Sequence, residues 1–419
     1  MNLAGKKLLI LGGNAISIDI VEAAHSLGVY TIVADWYDAK RSPAKLIADE
    51  FWDVSIFDTE LLVQMIKDNN VGGIITGFTD SYLLQYQLLC ELSGLPCYAS
   101  KEVFETTLDK AKFKQLCKDN GVPVIPEYDP MTFDPKSISD RNKIIIKPVD
   151  NSGSRGVVLC CSPDDYQTSL EYALSFSEKK QVLIEKYMEM DSFSVSYTFQ
   201  DGVASLSTTD DRYVHKALTG GAVTQCSLYP SKYMDTYIDM FDSKVRRMYE
   251  GAGLKNGVVA VQFFTDGKMF YVMEMAHRLS GGKHYTYTKM ENGISVLDQM
   301  IHFAITGSMA DYSLAEKDNP RFKHTYCHLF ILGKEAKIFR FKGLHYLEAL
   351  PEVFSLSKYK NVGDMIGPDG TSGQKVIDLH LKDDNYSHLK TVIKGIEENI
   401  RIIGENGEDL TISFNIDIL

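Results

Sequence analysis

The chain is predicted to be of mixed α/β and α+β class, with a parallel-sheet domain at the N-terminal end, a longer strand-rich middle part and an α+β tail. Three observations point there. Short apolar runs alternate with amphipathic helical segments as far as Pro96, the pattern of a parallel sheet with crossover helices. A lysine-bearing apolar strand, Lys143 to Pro148, leads through a glycine- and serine-bearing loop, Asn151 to Gly156, into a second apolar run, Val157 to Cys160. Asp266-Gly267 between two further apolar runs marks an antiparallel hairpin.

Taken in order, Lys7 to Leu11 reads as a strand, Gly12-Gly13-Asn14 as a turn, Ile18 to Leu27 as a helix, and Val29 to Ala34 as a second strand ending at Asp35. Helix Glu60 to Asn69, strand Gly73 to Gly77, helix Tyr82 to Leu92 and a strand entered at Gly94-Leu95-Pro96 continue the alternation. An acid about twenty residues after a glycine turn fits the ribose rule of dinucleotide sites. The full G-x-G-x-x-G is missing, however, so the turn is read as structural. Thr107 to Cys117 reads as a capped helix, with Lys112 and Lys114 as surface charges, and Asp119 to Pro123 as its stop.

The loop after Lys147 has two readings. Glycines let backbone N–H groups approach phosphate oxygens that a Cβ would hold away, and a strand lysine adds a point charge; a plain hairpin with a glycine-rich turn looks the same in isolation. Gln181 to Met188 is an apolar strand ending in the hinge Glu185-Lys186-Tyr187-Met188. Asp191 to Ser196 alternates as a strand, and Thr208 to Lys216, before Gly220-Gly221, is a dense polar run. After an amphipathic helix, Ile238 to Gly253, the hairpin sets Gln262 and Glu274 on neighbouring antiparallel strands with Arg278 just beyond. Helix Val296 to Ile305, strands His324 to Leu332 and Ala336 to Lys342, helix Leu389 to Ile400 and strand Leu410 to Phe414 complete the chain. His324 and His328 share one strand face, but without third and fourth ligands nearby in sequence they read as sheet histidines, not a metal site.

With 419 residues, 44% of them hydrophobic, the chain has room for two to four domains. A net charge of −12 argues against a nucleic-acid partner. Seven cysteines, an odd number without C-x-x-C spacing, suggest no disulfide framework and fit a cytoplasmic location. No apolar run approaches the ~18 residues of a membrane span, so no membrane association is expected.

In this order, a lysine strand with a glycine loop, an Ile-Glu-Lys-Tyr hinge and a hairpin carrying an acid followed by an arginine resemble the ATP-grasp superfamily. The branch with biotin carboxylase, carbamoyl-phosphate synthetase and the amino-acid (dipeptide) ligases looks closest. The resemblance implies a pre-ATP-grasp, Rossmann-like domain over residues 1–105, an ATP-grasp domain over 106–310 with a mobile lid over about 115–190, and a C-terminal α+β domain over 311–419. It implies ATP and Mg2+ (or Mn2+) as cofactors, and allows a homodimer.

The resemblance also suggests roles. Lys110 and Lys147 would neutralise phosphates, Ser152, Gly153 and Ser154 would cover them, and Glu185, Lys186, Tyr187 and Met188 would hold adenine. Glu274 and Gln262 would bind metal, and Arg278, with Lys147, would serve the transferred phosphate. Asp80, Asp211, Arg212 and His215 are candidates for the second substrate. Relatives have a glutamate at Ser192 for the ribose, a role left here to Asp191 or Glu189, a glutamate at Gln262 and an asparagine at Ala276. The expected reaction is carboxylate–amine ligation through an acyl phosphate, using small carboxylate and amine substrates. Alternatives are a bicarbonate-using carboxylase acting through carboxyphosphate, and an ATP-binding protein without catalysis.

Overall fold

The structure, a computed structural model, describes residues 3–150, 155–217 and 221–419. At the N-terminal end, β1 (Lys7–Leu11), β2 (Tyr30–Ala34), β3 (Glu50–Trp52) and β4 (Gly73–Thr76) form a parallel sheet in the order β3-β2-β1-β4. Leu8, Leu9, Ile10, Ile32, Val33 and Ile74 are fully buried, because a sheet covered by helices on both faces reads as unbroken apolar runs. The strand expected at Gly94-Leu95-Pro96 does not form. Gly94 closes the preceding helix at φ +67° and the Leu95 amide bonds back to Cys90, so the segment is a helix cap, and Pro96 has no N–H for a ladder.

The helix expected over Thr107 to Cys117 is two helices, Lys101–Leu108 and Lys110–Asp119. Asp109 is extended, and its carboxylate accepts from the amides of Ala111 (2.9 Å) and Lys112 (3.0 Å), making it the N-cap of the second helix. There follows a small antiparallel sheet of β5 (Glu127–Tyr128), β6 (Ile144–Pro148), β7 (Val158–Cys160) and β8 (Val182–Lys186), in the order β5-β8-β6-β7. Its own core, around Ile144, Ile146 and Ile184, packs against the helix Tyr166–Ser175.

The centre of the molecule is a nine-stranded sheet that begins with β9 (Asp191–Gln200), β10 (Val203–Lys216), β11 (Ala222–Tyr229), β12 (Gly257–Thr265) and β13 (Phe270–Ala276). The C-terminal part supplies β14 (Thr325–Gly333), β15 (Ile338–Lys342), β16 (Val353–Lys358), β17 (Lys375–Asp383), β18 (Arg401–Gly404) and β19 (Thr411–Ile412). Here β14, β17 and β16 extend the large sheet in the order β13-β12-β9-β10-β11-β14-β17-β16, with β19 beside β14, while β15 pairs with β18. One face buries Phe193, Val195, Tyr197, Val261 and Phe263; the residues between them, Ser194, Ser196 and Gln262, point the other way, as a strand period of two dictates. Among the described residues no helix is long and apolar enough to cross a membrane.

The N-terminal sheet is seated on the helix Val296–Thr306 through Gly73, where a Cβ would lie 2.3 Å from the Ala304 carbonyl oxygen. Backbone cannot yield as a flexible side chain can. Gly73→Ala is therefore expected to lower stability by about 2 kcal/mol, read as a lower denaturation midpoint; an unchanged midpoint would show that this contact does not hold the two layers together.

Candidate active site

Two cavities meet on the free face of the large sheet. The first, about 260 Å³, lies between that sheet and the small β5–β8 sheet. The second, about 300 Å³, lies between the large sheet and the N-terminal domain. Arg212, Thr224, Gln262 and Glu274 line both.

The first cavity has an apolar part, with Ile125, Ile145, Met188, Phe264 and Met273, and a charged part, with Lys110, Lys147, Arg155 and Glu185. Glu185 is buried. It takes Lys147 at 2.7 Å on one oxygen and Lys114 on the other, and Lys114 also reaches Glu127 at 2.5 Å. Burial pushes the Glu185 carboxyl up, but Lys147 and Lys114 together outweigh it and hold the carboxyl below its ordinary range. Lys114 is thus not the surface charge that its helical position suggests, being only 3% exposed, whereas Lys112 is exposed as expected. Lys110 opens the same helix, and burial together with Lys147 nearby lowers its ammonium below the ordinary lysine value.

The hinge residues Glu185 to Met188 all line this cavity, yet two of their amides are spoken for. The Lys186 N–H donates to Pro126 O and the Tyr187 N–H to Lys143 O, both at 2.9 Å. Lys216 reaches over the Tyr187 ring, 5.6 Å from its centroid. Ser192 lines the cavity, but the alternatives offered for the ribose do not: Asp191 is drawn to Lys232 (3.0 Å) and the Tyr233 hydroxyl, and Glu189 is exposed. Ser152, Gly153 and Ser154 lie outside the described residues.

Gln262 and Glu274 are direct cross-strand partners, and the next same-face pair is Ala260 with Ala276. The hairpin thus offers one carboxylate and one amide oxygen where the two cavities meet, and then two methyl groups. Arg278, just past β13, makes a side-on fork with Asp80 of the N-terminal domain, Nε and Nη2 each donating at 2.7 Å, while Nη1 donates to Leu279 O at 3.0 Å. Structure therefore brings together Asp80, Arg278, Glu274, Gln262 and Arg212 around the second cavity.

It does not bring Asp211 or His215 there. Asp211 faces the other side of β10, where its carboxylate accepts from the Ser231 hydroxyl (2.5 Å) and the Lys232 amide (3.0 Å). His215 pairs with Asp369 at 2.9 Å at the rim of a separate surface hollow. The cavity residue is instead Asp210, beside Arg212 in the period-two pattern; burial raises its carboxyl to about 7, against the pull of Arg212.

Three further residues of the second cavity were not anticipated: His284, His328 and Lys375. Burial lowers the His284 imidazole to about 4, so it is neutral near pH 7. His328 does have neighbouring ligand-type groups, contrary to expectation: β17 sets Asp378 and His380 beside it, and its Nε2 lies 2.5 Å from Asp378. His324 is apart from them, held by Glu291. At the N-terminal turn, Asp35 accepts from Gly13 N (2.9 Å), Ser42 Oγ (3.0 Å) and Tyr37 N (3.1 Å), and Tyr82 and Ser42 fill the space beside Gly12 and Gly13. The turn serves its own fold, as its sequence suggests.

Removing Lys114 leaves a buried carboxylate short of one cation. Lys114→Met should cost about 3 kcal/mol, measured by chemical denaturation. The depressed Glu185 carboxyl contributes stability that is in place above the unfolded value of about 4.3 and is lost as pH falls through the folded one. Glu185→Gln should flatten that acid slope; an identical slope in both proteins would remove Glu185 from the account.

Residues 141–287 match the family model described as an ATP-grasp domain. The formate-dependent phosphoribosylglycinamide formyltransferase of Sulfurisphaera tokodaii is 22% identical over 282 residues, covering 65% of this chain and 70% of that protein. In fold, the chain is similar to the L-amino acid ligase of Bacillus licheniformis (TM-score 0.79, 16% identity, 96% of this chain and 100% of that one). It is also similar to the biotin carboxylase domain of the Hydrogenobacter thermophilus 2-oxoglutarate carboxylase, solved with MgADP and bicarbonate (TM-score 0.75, 19% identity, 97% and 91%). The order of the site elements agrees with these matches: residues 141–287 carry an ATP-grasp domain, and the chain is similar in sequence to a formyltransferase and in fold to a ligase and a carboxylase.

Proposed function

We propose that this protein is an ATP-dependent carboxylate–amine ligase. A substrate carboxylate oxygen takes the γ-phosphoryl group of ATP, giving ADP and an acyl phosphate. An amine then attacks the acyl carbon, phosphate leaves, and the amine gives up a proton as the amide forms. The observation that carries this reading is the wall shared by two unlike cavities: Glu274 and Gln262 stand between a chamber with apolar walls and lysines and a polar chamber closed by the Arg278–Asp80 fork.

In this reading ATP occupies the first chamber. Adenine lies among Ile145, Met188, Phe264 and Met273, with the Met188 amide, which has no protein hydrogen bond among the described residues, as the hinge donor. Lys110 and Lys147 face the phosphates. The Glu274 carboxylate and the Gln262 carbonyl fit magnesium, or manganese, since both metals prefer such oxygen ligands. When bound, the metal would neutralise phosphate oxygens. Ala260 and Ala276 leave no side-chain ligand for a second ion at the position beyond.

The acid and the amine occupy the second chamber. Arg278 keeps N–H groups for the transferring phosphoryl group, and Asp80 fixes the plane of its guanidinium, so little reorganisation is left for the transition state. The β5–β8 sheet acts as the lid. Closed over the first chamber, it keeps water from the acyl phosphate.

The test is ADP and phosphate release with Mg–ATP across amino acids and small acids, singly and in pairs, with and without bicarbonate. A signal that needs one acid and one amine, with an amide product by mass spectrometry, is the expected result. Bicarbonate dependence would replace the acid with carbonate chemistry, and ATP binding without turnover across the panel would overturn the ligase reading. Arg278→Ala should lower kcat about 100-fold with ADP affinity unchanged. Gln262→Glu, by adding a charge, should lower the magnesium concentration needed for half-maximal rate; no change would place the metal elsewhere.

A further inference from the structure

Lys375 stands at the start of β17 and lines the second chamber together with His328 and Phe330 of β14 and Arg212 of β10. Its ammonium lies 3.6 Å from the centroid of the Phe330 ring. Among the described residues it has no hydrogen bond and no ion-pair partner. Arg212 is close enough to act on it electrostatically, and its side chain bonds a neutral group, the Thr224 hydroxyl at 2.5 Å. The nearest carboxylate on β17, Asp378, is turned to His328, Tyr359 and Ser357. This side of the chamber therefore carries two cations, one of them over an aromatic face and without an ion pair; of the nearby acids, Asp378 is engaged by His328, and Asp210, beside Arg212, is raised to about 7 by burial. Burial and Arg212 together lower the Lys375 ammonium to about 8, against the weaker pull of Asp378.

We propose that this pole is an anion subsite: Lys375 and Arg212 hold a second, non-reacting oxyanion group of the acid substrate, a carboxylate or a phosphate, while the reacting carboxylate lies by Glu274 and Arg278. The inference rests on the ligase reading of the same chamber and narrows its substrate to a small acid with two anionic groups. The aromatic face of Phe330 keeps the ammonium in place, and an anion entering a partly desolvated site between two cations gains more than it would in water. His328, held by Asp378, forms the wall beside it.

The test is calorimetric binding of chosen probes in the presence of ADP and magnesium: acetate, the α,ω-dicarboxylates from malonate to adipate, and 3-phosphoglycerate. On the natural protein, at least one two-headed acid is expected to bind tenfold or more tighter than acetate. Lys375→Met should abolish that advantage and Lys375→Arg should retain most of it, with ADP affinity and denaturation midpoint unchanged in both. Preference for phosphoglycerate or for a dicarboxylate identifies the oxyanion. A panel in which no two-headed acid outbinds acetate, or one that Lys375→Met leaves as it was, overturns the subsite. ATP turnover is followed in parallel, with Mg–ATP in place of ADP and each acid paired with the amino acids as amines: binding that depends on Lys375 without ADP formation from any pair keeps the subsite and removes the ligase reading, whereas ADP formation without that dependence does the reverse.

Discussion

Glu185 belongs to β8 of the small sheet, but the charges that keep it ionised come from two directions, Lys147 on β6 and Lys114 on the helix that follows Asp109. A carboxylate so deeply buried is tolerable only when its partners are present, so this triad fixes the small sheet against that helix. It also aims a third cation. Lys110 is one helical turn before Lys114, so anchoring Lys114 turns Lys110 toward the same cavity. The charged end of the first chamber is thus a single electrostatic unit.

Much of this could be read from the sequence where the signal was local. Asp266-Gly267 between apolar runs gives the hairpin, and a hairpin's alternation puts Gln262 opposite Glu274. The Gly12-Gly13 turn with an incomplete fingerprint is correctly read as structural. What escaped depends on distant partners or on parity. Lys114 on an amphipathic helix reads as solvated, because its burial is made tolerable by Glu185, 71 residues away. Asp210 and Asp211 are adjacent in a polar run, and one residue of register decides which faces the chamber. The helix expected from Thr107 starts instead after Asp109, because the Asp109 carboxylate caps two amides. The strand with Lys375 carries a signal in Ile377-Asp378-Leu379-His380-Leu381-Lys382, a plain alternation, but nothing local tells that it borders the second chamber.

The two chambers differ in how they are made. The first is held by buried charges and apolar walls drawn largely from the small sheet and one hairpin. The second is assembled from parts far apart in the chain: Asp80 meets Arg278 across 198 residues, and Lys375 comes from the C-terminal part. This is why motif reading reaches most of the first chamber and little of the second.

The same sheet geometry bears on how such a protein can change. Along β9, β12 and β14 the face toward the second chamber carries Ser194, Ser196, Ala260, Gln262 and His328, while Phe193, Val195, Val259, Val261, Cys327 and Leu329 between them pack on the opposite side. Neighbours in sequence thus answer to different demands, one to packing and the next to the chamber wall. Single exchanges on the open face can reshape the chamber while the hydrophobic face keeps its packing, so one frame can enclose chambers of unlike chemistry.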